Sequence, residues 1–177
     1  MAQEIKGLDE LMKKYGQLAE QVANENMIRA VGTSVMLVQA NARLLCPVHD
    51  GELRQSIRIA TENIGDQVLG TVYTNKSYAP YVEFGTGPKG QESHEGISPR
   101  ISPAYAQSPW WIHESQVDAE TAELYHWFYI DTEEGRFYQC TGQPAQPFMY
   151  PALKDNEERV TRNISNYLAR EIGKVCK

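Results

Sequence analysis

Gly85, Gly87 and Gly90 spell G-x-G-x-x-G, the spacing with which a strand-to-helix turn brings backbone amides up to a pyrophosphate. Their surroundings are wrong for that chemistry. Pro88 stands inside the motif, and Ser98-Pro99 and Ser102-Pro103 follow where a helix would have to run. The histidines, with the cysteines and one acid, offer Cys46, His49, His94, His113, Glu114, His126 and Cys140 as conceivable metal ligands or bases. Zinc sites draw such residues from close pairs. Here there is no H-E-x-x-H and no CxxC, and Cys46-Pro47-Val48-His49 has no second pair to complete it. A nucleophilic Ser56 or Cys46 would need a base held beside it, and no G-x-S-x-G elbow is present. The sequence therefore implies no cofactor and no catalytic residue. The one enzymatic rival it leaves is a small metal-dependent hydrolase using His113, Glu114 and His126.

Composition narrows the classes further. The chain has 177 residues, within the range of one domain, and the expectation is a single domain over 1–177. Seventeen Lys and Arg against 23 Asp and Glu leave a net charge of −6, which disfavours a protein that binds DNA by releasing counterions. Apolar residues at 41% and aromatics at 10% exclude a disordered chain. No apolar run approaches the length of about 18 residues that a membrane span needs. The N-terminus lacks a secretory pattern, and three dispersed cysteines, Cys46, Cys140 and Cys176, suit a reducing compartment. Free thiols in the cytoplasm are expected.

The elements that must position any site follow from periodicity. Leu8, Leu11, Tyr15, Leu18 and Val22, then Ile28, Val31, Val35, Val38, Ala42 and Leu45, recur at helical spacing. The second series is out of phase with the first, so a break is expected near Asn24 to Asn26. Pro47 ends the second helix, because a proline ring disfavours helical geometry in the residue before it. Arg54 to Thr61 and Gln67 to Thr74 alternate as strands of a hairpin, with Asn63, Gly65 and Asp66 as turn residues. A short helical turn at Tyr78 to Phe84 leads into the glycines.

Residues 88–109 hold four prolines, four serines and two glycines and read as a long loop. Trp111 to His113, Tyr125 to Ile130 and Arg136 to Thr141 are strand-like, giving a second hairpin around a turn at 131–135. Asp118 to Leu124 suits a short helix capped by the aspartate. Pro151, Leu153, Val160, Ile164, Leu168, Ile172 and Val175 mark an amphipathic C-terminal helix with proline in its first turn. The class expected is α+β: long N-terminal helices, a small antiparallel sheet of β-hairpins, and the C-terminal helix packed on the sheet. The aromatics Tyr78, Tyr81, Phe84, Trp110, Trp111, Trp127, Phe128 and Tyr129 are too many for one small sheet to shelter, so some should meet another subunit.

Three blocks carry a family resemblance. They run from Cys46-Pro47-Val48-His49-Asp50-Gly51-Glu52-Leu53-Arg54 to Ile57, from Tyr78-Ala79-Pro80-Tyr81-Val82-Glu83-Phe84-Gly85 to Gly87, and from Gln146-Pro147-Phe148 through Pro151-Ala152-Leu153. In order and spacing they resemble the gene-product-ten-like tail-component family of long-tailed phages and prophages. The likeness covers about residues 8–87 and 140–175. His49-Asp50 departs from the family's Asp-Thr, 88–142 forms a loop and hairpin insertion longer than in compact members, and 115–127 looks like an extra insertion. Ser108-Pro109-Trp110-Trp111 is similar to Gram-positive prophage relatives.

The resemblance implies a virion structural protein of the neck or tail top, made in the host cytoplasm, that completes the tail or joins it to the head. Its partners would be copies of itself in a ring and neighbouring neck or tail proteins. DNA would pass nearby without specific binding, and no membrane is involved. A tail assembly factor that leaves the particle is the nearest alternative. Among the matching positions, Pro47, Gly51 and Leu53 are expected to fix the exit from the second helix, and Arg54 to pair with Glu83. Tyr81, Phe84, Phe148 and Leu153 are expected to knit the hairpin to the C-terminal helix, with alanine substitutions costing about 2 to 5 kcal/mol where the side chain is buried. The loop 88–109 is expected to order on contact with a neighbouring ring. Tyr78, Gly85, Trp110, Trp111 and Pro151 complete the set of motif and interface residues.

Overall fold

The architecture comes from a computed structural model that describes residues 8–21, 25–65, 67–117, 119–124 and 126–175. The chain divides into two compact units, one formed by the chain up to Asn75 and from Ala152 onward, the other by Lys76–Pro151.

The first unit is built on α2 (Met27–Leu45), whose buried residues Ala30, Ser34, Val35, Val38 and Ala42 fall at the spacing of one helix face. It is preceded by α1 (Leu8–Gln21), on which Leu11, Met12 and Tyr15 are exposed. Residues 25–26 have π-helical geometry. The expected break thus lies partly outside the described residues, since Val22 and Asn24 do, and so does Cys176. Helix α2 stops where Cys46 turns extended ahead of Pro47.

A one-turn helix, α3 (Glu52–Ser56), comes next, and only then β1 (Arg58–Ile64) and β2 (Gln67–Tyr73). The strand expected from Arg54 therefore begins at Arg58. Five residues of helix look like alternation when read alone, and the left-handed Gly51 at φ 83° is what starts the turn. The hairpin pairs in unbroken register from Arg58↔Tyr73 to Ile64↔Gln67 around left-handed Gly65, with Asp66 outside the described residues. Helix α2 covers one face of it. Gly70 makes that approach possible, because a Cβ there would overlap Val35 and stand 2.7 Å from Cγ1 of Val31.

The C-terminal helix is two helices, α7 (Met149–Lys154) and α8 (Glu157–Val175). Between them the buried Asn156 donates from Nδ2 to the Ala152 carbonyl, and its own carbonyl accepts from Val160 N. Helix α8 lies along α2, and it is α2 that lies on the hairpin, so the last helix packs on a helix where packing on the sheet is expected from the sequence.

The Lys76–Pro151 unit contains α4 (Ala79–Phe84), α5 (Gly87–Glu92), β3 (Trp110–His113), a 3-10 turn (Glu114–Gln116), α6 (Ala119–Leu124), β4 (Tyr129–Thr132) and β5 (Gly135–Cys140). The strands form a separate antiparallel sheet in the order β3-β5-β4. The loop expected from residue 88 thus starts as a helix, with Pro88 in its first turn, where its missing N–H costs nothing. Strand β4 begins four residues later than Tyr125, which itself lies outside the described residues, as does the expected cap Asp118.

Candidate functional site

The first motif block is a set of stitches between the end of α2 and the start of β1. Gln39 Nε2 and Arg43 Nη2 on α2 each donate to the Ile57 carbonyl at 2.8 Å, and Ile57 is fully buried. Arg54 Nη2 reaches back to the Cys46 carbonyl at 3.0 Å, so a cation satisfies the C-terminal end of α2. Leu53 is buried beneath, and Pro47 is half-buried. Asp50, at the position where the block departs from its family, accepts from Glu52 N through Oδ1 and starts the α3 turn.

Glu83 has a different role from the expected ion pair with Arg54. Its buried carboxylate accepts three backbone N–H groups, from Phe148 and Met149 on Oε2 at 2.7 and 2.9 Å and from Tyr150 on Oε1 at 2.9 Å. The next residue is Pro151, which has no N–H to satisfy. One carboxylate and one proline therefore account for the free donors at the start of α7, and the negative charge sits at the positive end of that helix. Residues 65 to 67 positions apart are joined through a single side chain. Phe148, wholly buried, is anchored by it.

The glycine motif is a backbone clasp. Thr86 and Gln143 form an antiparallel bridge, with Thr86 N donating to the Gln143 carbonyl at 2.9 Å and Gln143 N returning to the Thr86 carbonyl at 3.1 Å. Lys89 N bonds the Thr141 carbonyl, Gln146 N the Val82 carbonyl and Ala145 N the Ser93 carbonyl. A Cβ on Gly85 would stand 2.7 Å from Ala145 N, one on Gly87 2.9 Å from the Thr141 carbonyl oxygen, and one on Gly90 2.8 Å from Gly85 C. Gly142, at φ 83°, would drive a Cβ into the Thr86 carbonyl. The glycines let two chain segments cross, and the space a phosphate would need is filled by the protein's own backbone.

Beside the clasp lies an open groove of about 720 Å³, lined by Tyr78, Pro80, Tyr81, Phe84, Tyr105 and Trp110 among others, with no charged residue in its wall. Tyr105 donates from its hydroxyl to the Phe84 carbonyl at 2.8 Å, and burial pushes its phenol above the ordinary value, which keeps the donor proton in place. Tyr81 is 59% exposed and Leu153 54%, so neither side chain is buried; Phe84 is half-buried in the groove wall. Trp110 and Trp111 are neighbours on β3 and so point to opposite faces. Trp110 enters the groove, while Trp111, 43% exposed, meets Phe128 at 6.1 Å on the sheet surface.

The candidate metal ligands are engaged separately. His113 contacts the Ser115 hydroxyl through Nδ1 and the Glu134 carbonyl through Nε2, and Glu114 accepts from Arg136 N. His126 is exposed at φ 51°. Among the described residues no three His, Cys, Asp or Glu side chains are placed to hold a metal ion. Arg136 stacks over Tyr129 at 4.0 Å, and its hydrogen bond to Asp131 raises its already high pKa. Among the described residues no helix is long and apolar enough to cross a membrane.

The residues Gly51, Leu53, Arg54, Glu83 and Gly85 thus hold the chain's own backbone together. Residues 9–85 match the family model described as "Bacteriophage HK97-gp10, putative tail-component". Over that segment the chain is similar to the gene-product-ten-like tail-component family. No curated protein and no solved structure matches the chain. The match contains the first block and the second as far as Gly85, and Glu83 physically connects it to the third. Gln39, Arg43, Tyr105 and Gly142 were not singled out by the sequence. Only Gly142, in a turn-like Thr-Gly-Gln, carries a local signal.

Proposed function

We propose that this chain is a structural protein of the phage neck or tail top, which completes the tail or joins it to the head without catalysing a reaction. The observation that carries the reading is the use made of its chemistry-bearing residues. In a chain whose residues 9–85 match a tail-component family model, the glycine motif, Glu83 and Arg54 all bind the protein's own backbone. What remains for function is surface: the uncharged groove and the exposed aromatic side chains Tyr81, Trp111 and Phe128. Aromatic anchors of this kind serve contacts between proteins.

The subunit acts as a member of a ring, touching copies of itself and adjoining neck or tail proteins. A net charge of −6 suits a ring around a DNA path, since phosphates pass without lasting ion pairs. It is made in the host cytoplasm and ends in the virion. Deleting the gene and imaging the lysate tests this: separate full heads and finished tails are expected, and normal infectious particles would overturn it.

A further inference from the structure

Strand β2 (Gln67–Tyr73) has seven residues and contains no Lys, Arg, Asp, Glu or Pro. It pairs with β1 without a bulge, and among the described residues no third strand joins their sheet. No backbone hydrogen bond leaves the hairpin among the described residues. Proteins ordinarily blunt such an edge with a charge, a proline, a bulge or a cover, because a row of free N–H and C=O groups invites another strand. The second sheet follows that rule, with edge strands of only four residues and Asp131 on β4. Strand β2 lacks the charge, the proline and the bulge, and among the described residues no strand pairs with its outer edge.

Its exposed face adds to the invitation. Gly70 faces α2, so by alternation Leu69, Thr71 and Tyr73 face away. Leu69 is 49% exposed and Tyr73 44%, and Ile64, opposite Gln67, is 55% exposed. An apolar strip therefore runs beside an open, uncharged edge.

We infer that the edge of β2 is filled by β1 of a second copy, head to tail, so that hairpins join side by side into one closed antiparallel sheet. This deepens the ring reading given above and rests on it. The occupant is a copy because the hairpin presents its own complement: β1 and β2 are both seven residues long, neither has a further strand partner among the described residues, and the alternation β1-β2-β1-β2 stays antiparallel throughout. A two-fold contact of β2 on β2 would leave every β1 edge open, whereas the head-to-tail contact closes both. Of the two strands that would meet only β1 carries charge, Arg58 and Glu62, so no acidic side chain is set against another along the contact.

Sedimentation of the full chain tests this, with Leu69→Lys as the edge variant and Ile130→Lys, on the other sheet, as control. The wild type should form a closed oligomer larger than a dimer. Leu69→Lys should lose it while keeping the wild-type circular dichroism and melting temperature, and Ile130→Lys should sediment as wild type. Amide exchange along β2 should be slower in concentrated than in dilute wild-type protein, a comparison that does not depend on the variant folding. A wild type that stays monomeric or stops at a dimer, or β2 amides indifferent to concentration, would overturn the proposal. Assembly of Leu69→Lys equal to wild type would refute the edge and leave the tail-component reading standing. Normal particles from the gene deletion would instead remove that reading whatever the sedimentation shows.

Discussion

Each of the two units is held together internally by its own means. Where α2 meets the hairpin, apolar side chains on a regular helix face lie on a sheet face, the ordinary way of burying area. In the Lys76–Pro151 unit, segments 81–93 and 141–150 are joined by backbone bridges, glycine crossings and one carboxylate. Apolar packing yields gradually to substitution, but a crossing of two backbones has no slack. The contrast predicts where the chain should tolerate change and where it should not.

The sharpest break should come at the clasp. Gly142→Ala places a Cβ on the Thr86 carbonyl and forces a non-glycine residue to φ 83°, so a loss of about 3 kcal/mol or more is expected in denaturant unfolding. Glu83→Ala strips the acceptor from three N–H groups, one buried and two part-buried, and should cost about 3 kcal/mol, with Glu83→Gln recovering part of it. If Glu83→Ala melted like wild type, the carboxylate would not be what holds the start of α7. In the apolar unit, Gly70→Ala should cost about 1 to 3 kcal/mol, because the two valines of α2 must shift. Tyr81→Ala and Leu153→Ala should change stability by less than about 0.5 kcal/mol, while Phe148→Ala costs about 3 to 5 kcal/mol, a gap visible in one set of thermal melts.

Local signals in the sequence were enough for the helix over Met27–Leu45, its stop at Pro47, both hairpins and the one-sided face of the last helix. Three features escaped them for identifiable reasons. Helix α3 is a single turn, shorter than the period needed to tell 3.6 from 2. Helix α5 is composed of residues that argue for a loop and is held by the clasp, with Gly90 N bonded to Thr86 O and Lys89 N to Thr141 O. The break between α7 and α8 depends on the buried Asn156, while the apolar period runs on through it. At the site, opposite charge suggested Arg54 as the partner of Glu83, but each binds backbone instead: Arg54 the carbonyl that ends α2, Glu83 the amides that begin α7. Such pairings join a charge to a helix terminus, and only the fold brings that terminus close.

The central claim is that this chain works by being built into the particle at the junction of head and tail. Gold-labelled antibody against it, applied to intact purified particles and imaged by electron microscopy, tests that most directly. The label is expected at the neck or tail top of finished particles. Label at the distal tip, or label confined to assembly intermediates and absent from finished particles, would contradict it.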